Sequence, residues 1–430
     1  MMGDLLMAYY GDDFTGSTDV MEALSAGGVE TVLFTRMPDA ETLARFSHCR
    51  AVGLAGTARS RSPAWMDDEL PAVFAWLGGL GARFCHYKVC STFDSAPGRG
   101  SIGRAAEIGL RVFDQQSLHI LVGAPQLKRY TFAGHLFAAY RDHVYRIDRH
   151  PVMSCHPATP MREADLLVHL SHQTDLPSAL ISNAGTGGRE ARLLLIDVYD
   201  VATQAQAGTV LEFAAETMGP FILGSSGVEY ALLSHWVPAG IAGPAPDFTP
   251  LAGLDSIAVV SGSCSPTTAR QIEMALAAGF VGIPINYEAL AGGQGRDAAL
   301  AAARGAAGTA LRGGKSPLIH TALGPQQSVA AGGAMRDDLV GLGLGQVLEA
   351  LRQEFALPRI VVAGGDTSSH ALEALDVQAL TLRLPLPESP GSPVCLAHPA
   401  NPEAAPFELV LKGGQIGRDD YFLRMRDGFA

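Results

Sequence analysis

LLMAYYGDDFTGSTDVMEALSA, residues 5–26, contains one complete unit of the predicted fold. Leu5–Tyr10 is a short apolar run typical of a buried strand, and Ser17–Ala26 has the pattern of a helix. Gly11–Gly16 forms the turn between them. Further strands are predicted at Thr31–Phe34, Ala51–Ala55, Arg83–Val89 and His119–Val122, and a helix at Pro63–Leu77. Strands that alternate with helices of this length indicate βαβ units and a mostly parallel sheet.

A break in this alternation divides the chain. Pro238–Leu251 (PAGIAGPAPDFTPL) contains four prolines and little periodicity, which predicts a linker or hinge. The predicted N-terminal domain therefore covers residues 1–237, the linker 238–251 and the C-terminal domain 252–430. The alternation restarts beyond the linker. Strands are predicted at Ser256–Val260, Val281–Ile285, Leu318–Thr321 and Ile360–Ala363. Helices are predicted at Ser265–Ala278, Arg296–Arg312, Asp337–Phe355 and from about Thr367, and residues 377–412 are predicted to be mainly β structure. The predicted fold class is two α/β domains with mostly parallel sheets.

Composition excludes several classes of protein. The 430 residues are 47% hydrophobic and only 17% charged, which argues against a disordered chain or a charged coiled coil. The net charge of −12, with no Lys/Arg run longer than two, argues against nucleic acid and anionic membranes as partners. There is no stretch of 18 apolar residues, no basic signal-peptide start, and no C-x-x-C pair among the six cysteines. We therefore expect reduced thiols and a cytoplasmic location.

Two motif-like segments and two groups of possible metal ligands are better explained without a functional role. Thr309–Ser316 (TALRGGKS) ends like a P-loop, but it lacks the first glycine and lies after a predicted helix. Gly293–Ala298 (GQGRDA) fits G-x-G-x-x-A without directly following a strand. The groups His169/His172 and Cys85/His86/Cys90 lack the full ligand set of a structural zinc site. No metal site is predicted.

Polar residues follow the predicted strands of the N-terminal domain, where open parallel sheets bind ligands. The segments are Gly11–Gly16 (GDDFTG), Gly56–Arg59 (GTAR) and Lys88–Asp94 (KVCSTFD). They supply three carboxylates, two cations and several hydroxyls. Cations take a carboxylate and Asp accepts from hydroxyls, so a small, anionic, polyhydroxylated ligand is predicted.

Small residues occupy the corresponding positions of the C-terminal domain, at Ser261–Ser265 (SGSCS), Ala363–Thr367 (AGGDT) and Lys412–Gly417 (KGGQIG). Backbone N–H groups there can reach a phosphate, and a helix N-terminus adds favourable charge. An ordinary βα turn with Ser or Asp as N-cap explains any one of these loops alone. Three in one domain favour a nucleotide. A cleft between the two domains, closing to exclude water, would suit a kinase.

The chain resembles the four-carbon acid sugar kinases. The resemblance rests on motifs that occur in the family's order over nearly the whole chain: GDDFTG (11–16), KVCSTFDS (88–95), GHL (134–136), HPATPM (156–161), SGSCS (261–265), GGDT (364–367) and KGGQIG (412–417). It implies an ATP-dependent kinase that phosphorylates a terminal hydroxyl of threonate, erythronate or a 3-oxo-tetronate. It also implies a sugar-acid-binding N-terminal domain and a nucleotide-binding C-terminal domain, and it leaves a homodimer open.

The resemblance also implies roles for individual residues. The sugar acid is expected to contact Asp12, Asp13, Arg59, Lys88, Ser91 and Asp94. ATP, with Mg²⁺ on its outer phosphates, is expected to contact Ser261, Ser263, Ser265, Gly364, Gly365, Asp366, Thr367 and Gly414. Arg59 and Lys88 would hold the substrate carboxylate, and Asp366 would orient Mg²⁺ or a nucleotide group. The general base is assigned to Asp13 or, failing that, to Asp12 or Asp94.

Departures from the family's pattern leave alternatives open. KGGQIG replaces K-S-G-N-F-G, Gly100–Gly103 (GSIG) replaces G-N-I-G, and Gly123–Arg129 (GAPQLKR) differs from the usual C-P-A-F-P. These changes make a branched relative such as 3-oxo-isoapionate an alternative substrate. An NAD-linked sugar-acid oxidoreductase would need a Gly-rich fingerprint followed after about 20 positions by an acidic residue, which we do not find. A sugar-acid or nucleotide-binding protein without catalysis is the remaining alternative.

Overall fold

The computed structural model describes residues 4–156, 158–181, 190–324 and 334–429, without the side chains of residues 334–337, 366 and 369. The chain divides into two units, Met1–Pro246 and Asp247–Ala430. Each unit has helices packed on a mostly parallel sheet, so the predicted fold class of two α/β domains is confirmed.

The first unit has eleven strands and seven helices among its described residues. In chain order they are β1 Met7–Gly11, α1 Phe14–Ala26, β2 Thr31–Phe34, α2 Ala40–Ala44, β3 Ala51–Ala55, α3 Pro63–Gly79, β4 Phe84–Lys88, α4 Ile102–Val112, β5 Leu118–Leu121, β6 Arg129–Phe132, β7 His135–Tyr140, β8 His143–Arg146, α5 Leu166–Ser171, β9 Ser178–Ile181, β10 Leu193–Ile196, α6 Val201–Thr217, β11 Phe221–Gly224 and α7 Gly227–Trp236.

Eight of these strands form a parallel sheet in the order β2-β3-β1-β4-β11-β5-β10-β9. All five residues of β1 are buried, as expected for a strand covered on both faces. β1 pairs with β3 and β4 so that Gly11 lies opposite Ala55 and Lys88. This register places the loops after β1, β3 and β4 side by side at one edge of the sheet.

Two local features differ from the sequence-based expectation. Helix α1 begins at Phe14 rather than Ser17, because the Asp13 side chain caps it by accepting from the Gly16 N–H. A three-stranded antiparallel sheet, β6-β7-β8, was not expected. Its strands alternate only weakly between buried and exposed residues, so the sequence pattern does not reveal them.

The second unit has seven strands and six helices among its described residues. They are β12 Ala258–Ser261, α8 Pro266–Ala277, β13 Val281–Pro284, α9 Tyr287–Leu290, α10 Arg296–Arg312, β14 Pro317–His320, α11 Ala334–Phe355, β15 Arg359–Ala363, α12 Gly365–Ala374, β16 Val377–Leu384, β17 Val394–Pro399, β18 Phe407–Lys412 and α13 Tyr421–Asp427.

The strands of the second unit follow the order β13-β14-β12-β15-β18-β17-β16. The pairs from β13 to β18 are parallel, whereas β17 is antiparallel to β18 and to β16. Ser261 lies opposite Ala363, and Ala363 lies opposite Lys412. The three glycine-containing loops singled out in the sequence therefore leave adjacent strands at the same edge.

Two further observations concern membrane-spanning helices and the state of the cysteines. None of the helices in the described ranges combines the length and hydrophobicity needed to cross a bilayer. All six cysteines are free thiols in the structure.

We expect Gly208→Ala in α6 to lower the free energy of unfolding by about 1–3 kcal/mol, because the new methyl group overpacks the helix. An added Cβ at Gly208 would lie 2.0 Å from the carbonyl oxygen of Ala231 in α7. Gly305 is a matched control, since it lies in the exposed middle of the equally long helix α10 with nothing within 4 Å. Gly305→Ala should stabilise by about 0.5–1 kcal/mol.

Thermal unfolding followed by circular dichroism measures both variants. Equal shifts in Tm for the two substitutions would contradict the packing of α6 against α7.

Candidate active site and nucleotide pocket

Arg59 connects the loops that follow β1, β3 and β4. Its Nη1 donates to Asp13 Oδ2 at 2.5 Å, and its Nη2 lies 2.9 Å from both carboxylate oxygens of Asp94. Ion pairs made by a planar guanidinium are directional and strong, so these contacts fix the three loops relative to one another. The structure thus brings together three residues that the sequence predicted for one site.

Asp13 has little capacity left to accept a proton. Besides binding Arg59, its Oδ1 accepts from the Gly16 N–H at 2.5 Å. Burial favours the neutral acid, but the charges of Arg59 and Lys88 and the Gly16 bond outweigh it, so the pKa of Asp13 lies below its usual value. Asp13 is therefore an ionised helix cap and ion-pair partner.

Both carboxylate oxygens of Asp94 accept hydrogen bonds. Thr92 Oγ1 donates to its Oδ1 at 2.6 Å, and Thr159 Oγ1 donates to its Oδ2 at 2.7 Å. Burial alone would raise its pKa, but Arg59 and the two threonines lower it to about 2. Asp94 is therefore an anchor for Arg59.

Asp12 has the opposite environment. It is 4% exposed, and its Oδ1 has no hydrogen-bond partner among the described residues. Burial, followed by the neighbouring charge of Asp13, raises the pKa of Asp12 to about 8. Its position is fixed by its backbone, because its N–H donates to the Lys88 carbonyl and its carbonyl accepts from the Arg59 N–H.

Lys88 ends β4 as a buried cation. Its Nζ lies 3.6 Å from Asp19 Oδ2, and that oxygen also accepts from Ser226 Oγ at 2.5 Å. Burial disfavours the ammonium, but Asp19 and Asp13 outweigh it and raise the pKa of Lys88. Ser91 lies half-buried in the loop after β4, outside this hydrogen-bond network.

The partners that hold this cluster were not assigned from the sequence. Thr159 belongs to the HPATPM segment, which was noted as a motif without a role, and Thr92 belongs to KVCSTFD. Asp19 and Ser226 carry no motif signal, because only the folded sheet brings α1 and the start of α7 beside Lys88.

Three serines shape the loop before α8 in the second unit. Ser261 Oγ accepts from the Ser263 N–H at 3.4 Å, and Ser263 Oγ accepts from the Ser265 N–H at 3.2 Å. Ser265 Oγ accepts from the Thr267 N–H at 3.1 Å as the helix N-cap. The N-cap explanation thus holds for Ser265, while the loop as a whole presents hydroxyls and backbone at a helix start.

Glycines keep the neighbouring loop open. Gly364 has φ +123°, and a Cβ there would lie 2.7 Å from Thr367 Oγ1. A Cβ at Gly262 would lie 2.2 Å from the same hydroxyl, and one at Gly414 would lie 3.0 Å from Ser263 Oγ. Only glycine leaves the backbone at these positions accessible to a ligand.

These loops enclose a pocket of about 300 Å³ in the second unit. It is lined by Gly262, Ser263, Cys264, Tyr287, Val340, Gly364, Gly365, Thr367 and Gly414. Five of the predicted nucleotide residues therefore share one cavity. Ser261 is buried beneath it, Ser265 caps α8, and the side chain of Asp366 lies outside the described part of the chain.

No group of three or more His, Cys, Asp or Glu side chains is placed to hold a metal ion within the described ranges.

Comparison with known proteins assigns a class to each unit. Residues 7–232 match the sugar-binding N-terminal domain family, and residues 258–422 match the nucleotide-binding C-terminal domain family. A crystal structure from Salmonella typhimurium LT2, provisionally described as a tRNA synthase, has a TM-score of 0.76 at 25% identity and covers 97% of this chain and 98% of that one.

Two curated relatives define the family more narrowly. A 3-oxo-isoapionate kinase of Paraburkholderia graminis is 44% identical over 99% of this chain and 94% of its own length. A 3-oxo-tetronate kinase of Cupriavidus necator is 30% identical over 97% of this chain and 95% of its own length. The chain belongs to the four-carbon acid sugar kinase family.

We expect Asp94→Asn to lower the free energy of unfolding by about 2 kcal/mol at pH 7. This is the stabilisation that a carboxylate contributes when folding lowers its pKa by nearly two units. Asp94 has a pKa of about 2 in the folded chain and an ordinary value near 4 when unfolded. The ionised form therefore stabilises the fold above about pH 4, and that stabilisation disappears as pH falls towards 2.

Urea denaturation at several pH values measures the difference between wild type and variant. The difference in the free energy of unfolding should be largest near neutral pH and should decrease below about pH 4. Asp142→Asn, an exposed carboxylate in the turn between β7 and β8, serves as the control. A difference that is independent of pH would contradict the ion-pair assignment.

Proposed function

We propose that this protein is an ATP-dependent kinase that phosphorylates a terminal hydroxyl of a small sugar acid. One observation supports the proposal: each unit has its own cluster of residues, and each cluster is suited to a different reactant. The first unit holds a cluster of cations and carboxylates suited to an anionic polyol. The second unit holds a glycine-lined pocket at a helix N-terminus suited to phosphates.

A 3-oxo-isoapionate-type substrate is favoured over a 3-oxo-tetronate. The relative named for the former is 44% identical, against 30% for a relative named for the latter. The departure at Gly123–Arg129, in the first unit, agrees with a sugar acid different from that of the typical family member. Residues 238–251 are proposed as the linker. The first matched segment ends before them, at residue 232, and the second begins after them, at residue 258.

The sugar-acid carboxylate is proposed to bind Arg59 and Lys88, the two cations of the cluster. Both cations already lie close to protein carboxylates. The substrate carboxylate is proposed to add one further contact to each of them. Ser91, Asp13 and Asp94 are proposed to contact the substrate hydroxyls or to hold the cations in place.

Asp12 is the favoured general base, in preference to Asp13. In the transfer, the substrate oxygen forms a bond to the γ-phosphorus, the bond to the β–γ bridging oxygen breaks, and the hydroxyl proton goes to the base. Asp12 has an unpartnered oxygen and a raised pKa, whereas both oxygens of Asp13 are occupied. A base with a pKa near the working pH is the more effective one.

ATP is proposed to place its phosphates at Ser261, Ser263, Ser265, Gly364, Gly365, Asp366, Thr367 and Gly414. Mg²⁺ is proposed to enter with the nucleotide, since it is commonly held by substrate phosphates and water rather than by a protein cage.

The substrate class is tested by ADP release from MgATP with a panel of four- and five-carbon sugar acids and their 3-oxo forms. We expect kcat/KM at least about tenfold higher for 3-oxo-isoapionate than for 3-oxo-tetronates, a difference of roughly 1.4 kcal/mol in transition-state binding. NADH absorbance in parallel reactions controls for the oxidoreductase alternative. ADP release that no sugar acid raises above the blank would contradict the kinase proposal.

The base is tested by comparing Asp12→Asn with Asp13→Asn. We expect Asp12→Asn to lower kcat at least about 10²-fold, as for loss of a general base, and Asp13→Asn to act mainly on KM. In wild type at saturating MgATP, kcat/KM for the sugar acid should rise with pH up to about 8, as Asp12 ionises.

Stability provides the control for folding. The folded pKa of Asp12 lies above its unfolded value, so its ionisation costs stability as pH rises from about 4 to 8. Asp12→Asn should therefore be more stable than wild type at pH 8 even though its kcat is at least about 10²-fold lower. A kcat within a few-fold of wild type would exclude Asp12 as the base.

A further inference from the structure

Lys412, at the end of β18, is a buried lysine that the proposed reaction does not yet use. Its side chain is 0% exposed, and among the described side chains no carboxylate lies within ion-pair distance. A buried ammonium without a counter-charge is costly, so this position needs a physical reason.

The hydrogen bonds of Lys412 lead directly to the nucleotide pocket. Its Nζ donates to the Gly413 carbonyl at 2.8 Å and to Thr268 Oγ1 at 3.1 Å. Thr268 Oγ1 in turn donates to the carbonyl of Gly414 at 3.0 Å. Gly414 lines the pocket beside Ser263, so Lys412 holds the wall of the pocket through two linked contacts.

The number of these bonds matches a neutral amine. A neutral amine has two N–H groups, and the two acceptors, Gly413 O and Thr268 Oγ1, satisfy both. An ammonium has a third N–H, for which the described residues supply no further hydrogen-bond acceptor. Burial also lowers the pKa of Lys412 to about 7.

Among the described side chains, the groups that face Lys412 from neighbouring elements carry no negative charge. From α13, the ring of Tyr421 lies with its centroid 5.9 Å from Nζ, at the outer limit of a cation–π contact, and is the one group here that favours the ammonium. From α8 the facing group is the hydroxyl of Thr268, and on β15 the paired residue is Ala363. Asp366 of α12 lies outside the described side chains.

We propose that Lys412 is a positioning residue of the nucleotide pocket, which takes up a proton when nucleotide phosphates bind and thereby tightens the Gly413–Gly414 wall around them. The inference rests on the proposed nucleotide site. Phosphate charge entering the pocket supplies a counter-charge, which the described side chains lack, through the low-dielectric interior, so the bound state favours the ammonium. Nucleotide affinity should consequently fall as pH rises above neutrality.

Isothermal titration calorimetry with ADP and Mg²⁺ at pH 8, in buffers of different ionisation enthalpy, tests this directly. The phosphates are already ionised at that pH, since their last pKa is near 6. We expect uptake of at least about half a proton per nucleotide in wild type at pH 8, where Lys412 is mostly neutral before the nucleotide binds.

Three variants assign the proton. Lys412→Met should abolish the uptake and weaken binding at least about tenfold at pH 7. Lys412→Arg keeps a permanent charge, so it should bind ADP without uptake and without loss of affinity above pH 7. Lys315→Met, which removes an exposed lysine just before β14, should behave like wild type.

Binding by wild type without proton uptake would overturn the inference while leaving the nucleotide site intact, and so would uptake that persists in Lys412→Arg. Both of these outcomes are measured on wild type or on Lys412→Arg, so the test stands even where Lys412→Met does not fold. Absence of any ADP binding by wild type would instead overturn the nucleotide site itself and the inference with it.

Discussion

The guanidinium of Arg59 holds together the first site, because it binds the carboxylates of Asp13 and Asp94 at once. Those carboxylates belong to loops after different strands, so one side chain sets the relative positions of α1, the β3 loop and the β4 loop. The same contacts distinguish the three acids. Asp13 and Asp94 are ionised partners of Arg59, whereas Asp12 Oδ1 has no hydrogen-bond partner among the described residues and the pKa of Asp12 is raised. The proposed choice of Asp12 as proton acceptor depends on this difference.

The two candidate sites offer anions different groups. The first offers side-chain charges, the half-buried Arg59 and the buried Lys88, each close to carboxylates. The second uses glycine backbone, serine hydroxyls and the start of α8, with the buried Lys412 behind its wall. The proposal that a chain with 17% charged residues and a net charge of −12 binds two anionic reactants therefore depends on these local groups outweighing its overall field.

Much of the fold follows from sequence, because short apolar runs and glycine-containing turns mark strand ends that a parallel sheet then aligns. That alignment places the loops that carry Asp13, Arg59 and Asp94 at one edge of the sheet, and the ion pairs of Arg59 then join them. The choice between Asp12 and Asp13 as base could not follow from sequence, since it depends on which oxygens are occupied and how deeply each is buried. Asp19, Ser226 and Thr159 were likewise out of reach, because their contacts join distant elements through packing. In the sequence Lys412 is one residue of a motif, and only the folded chain shows that none of the described carboxylates pairs with it.

The most direct test of the account is a crystal structure with ADP, Mg²⁺ and the preferred sugar acid. The account predicts nucleotide phosphates against Gly364–Thr367 and Gly414, and the sugar-acid carboxylate at Arg59 and Lys88 with a terminal hydroxyl within hydrogen-bond distance of Asp12. Nucleotide phosphates bound at Arg59, or a sugar acid bound away from Asp12, would contradict it.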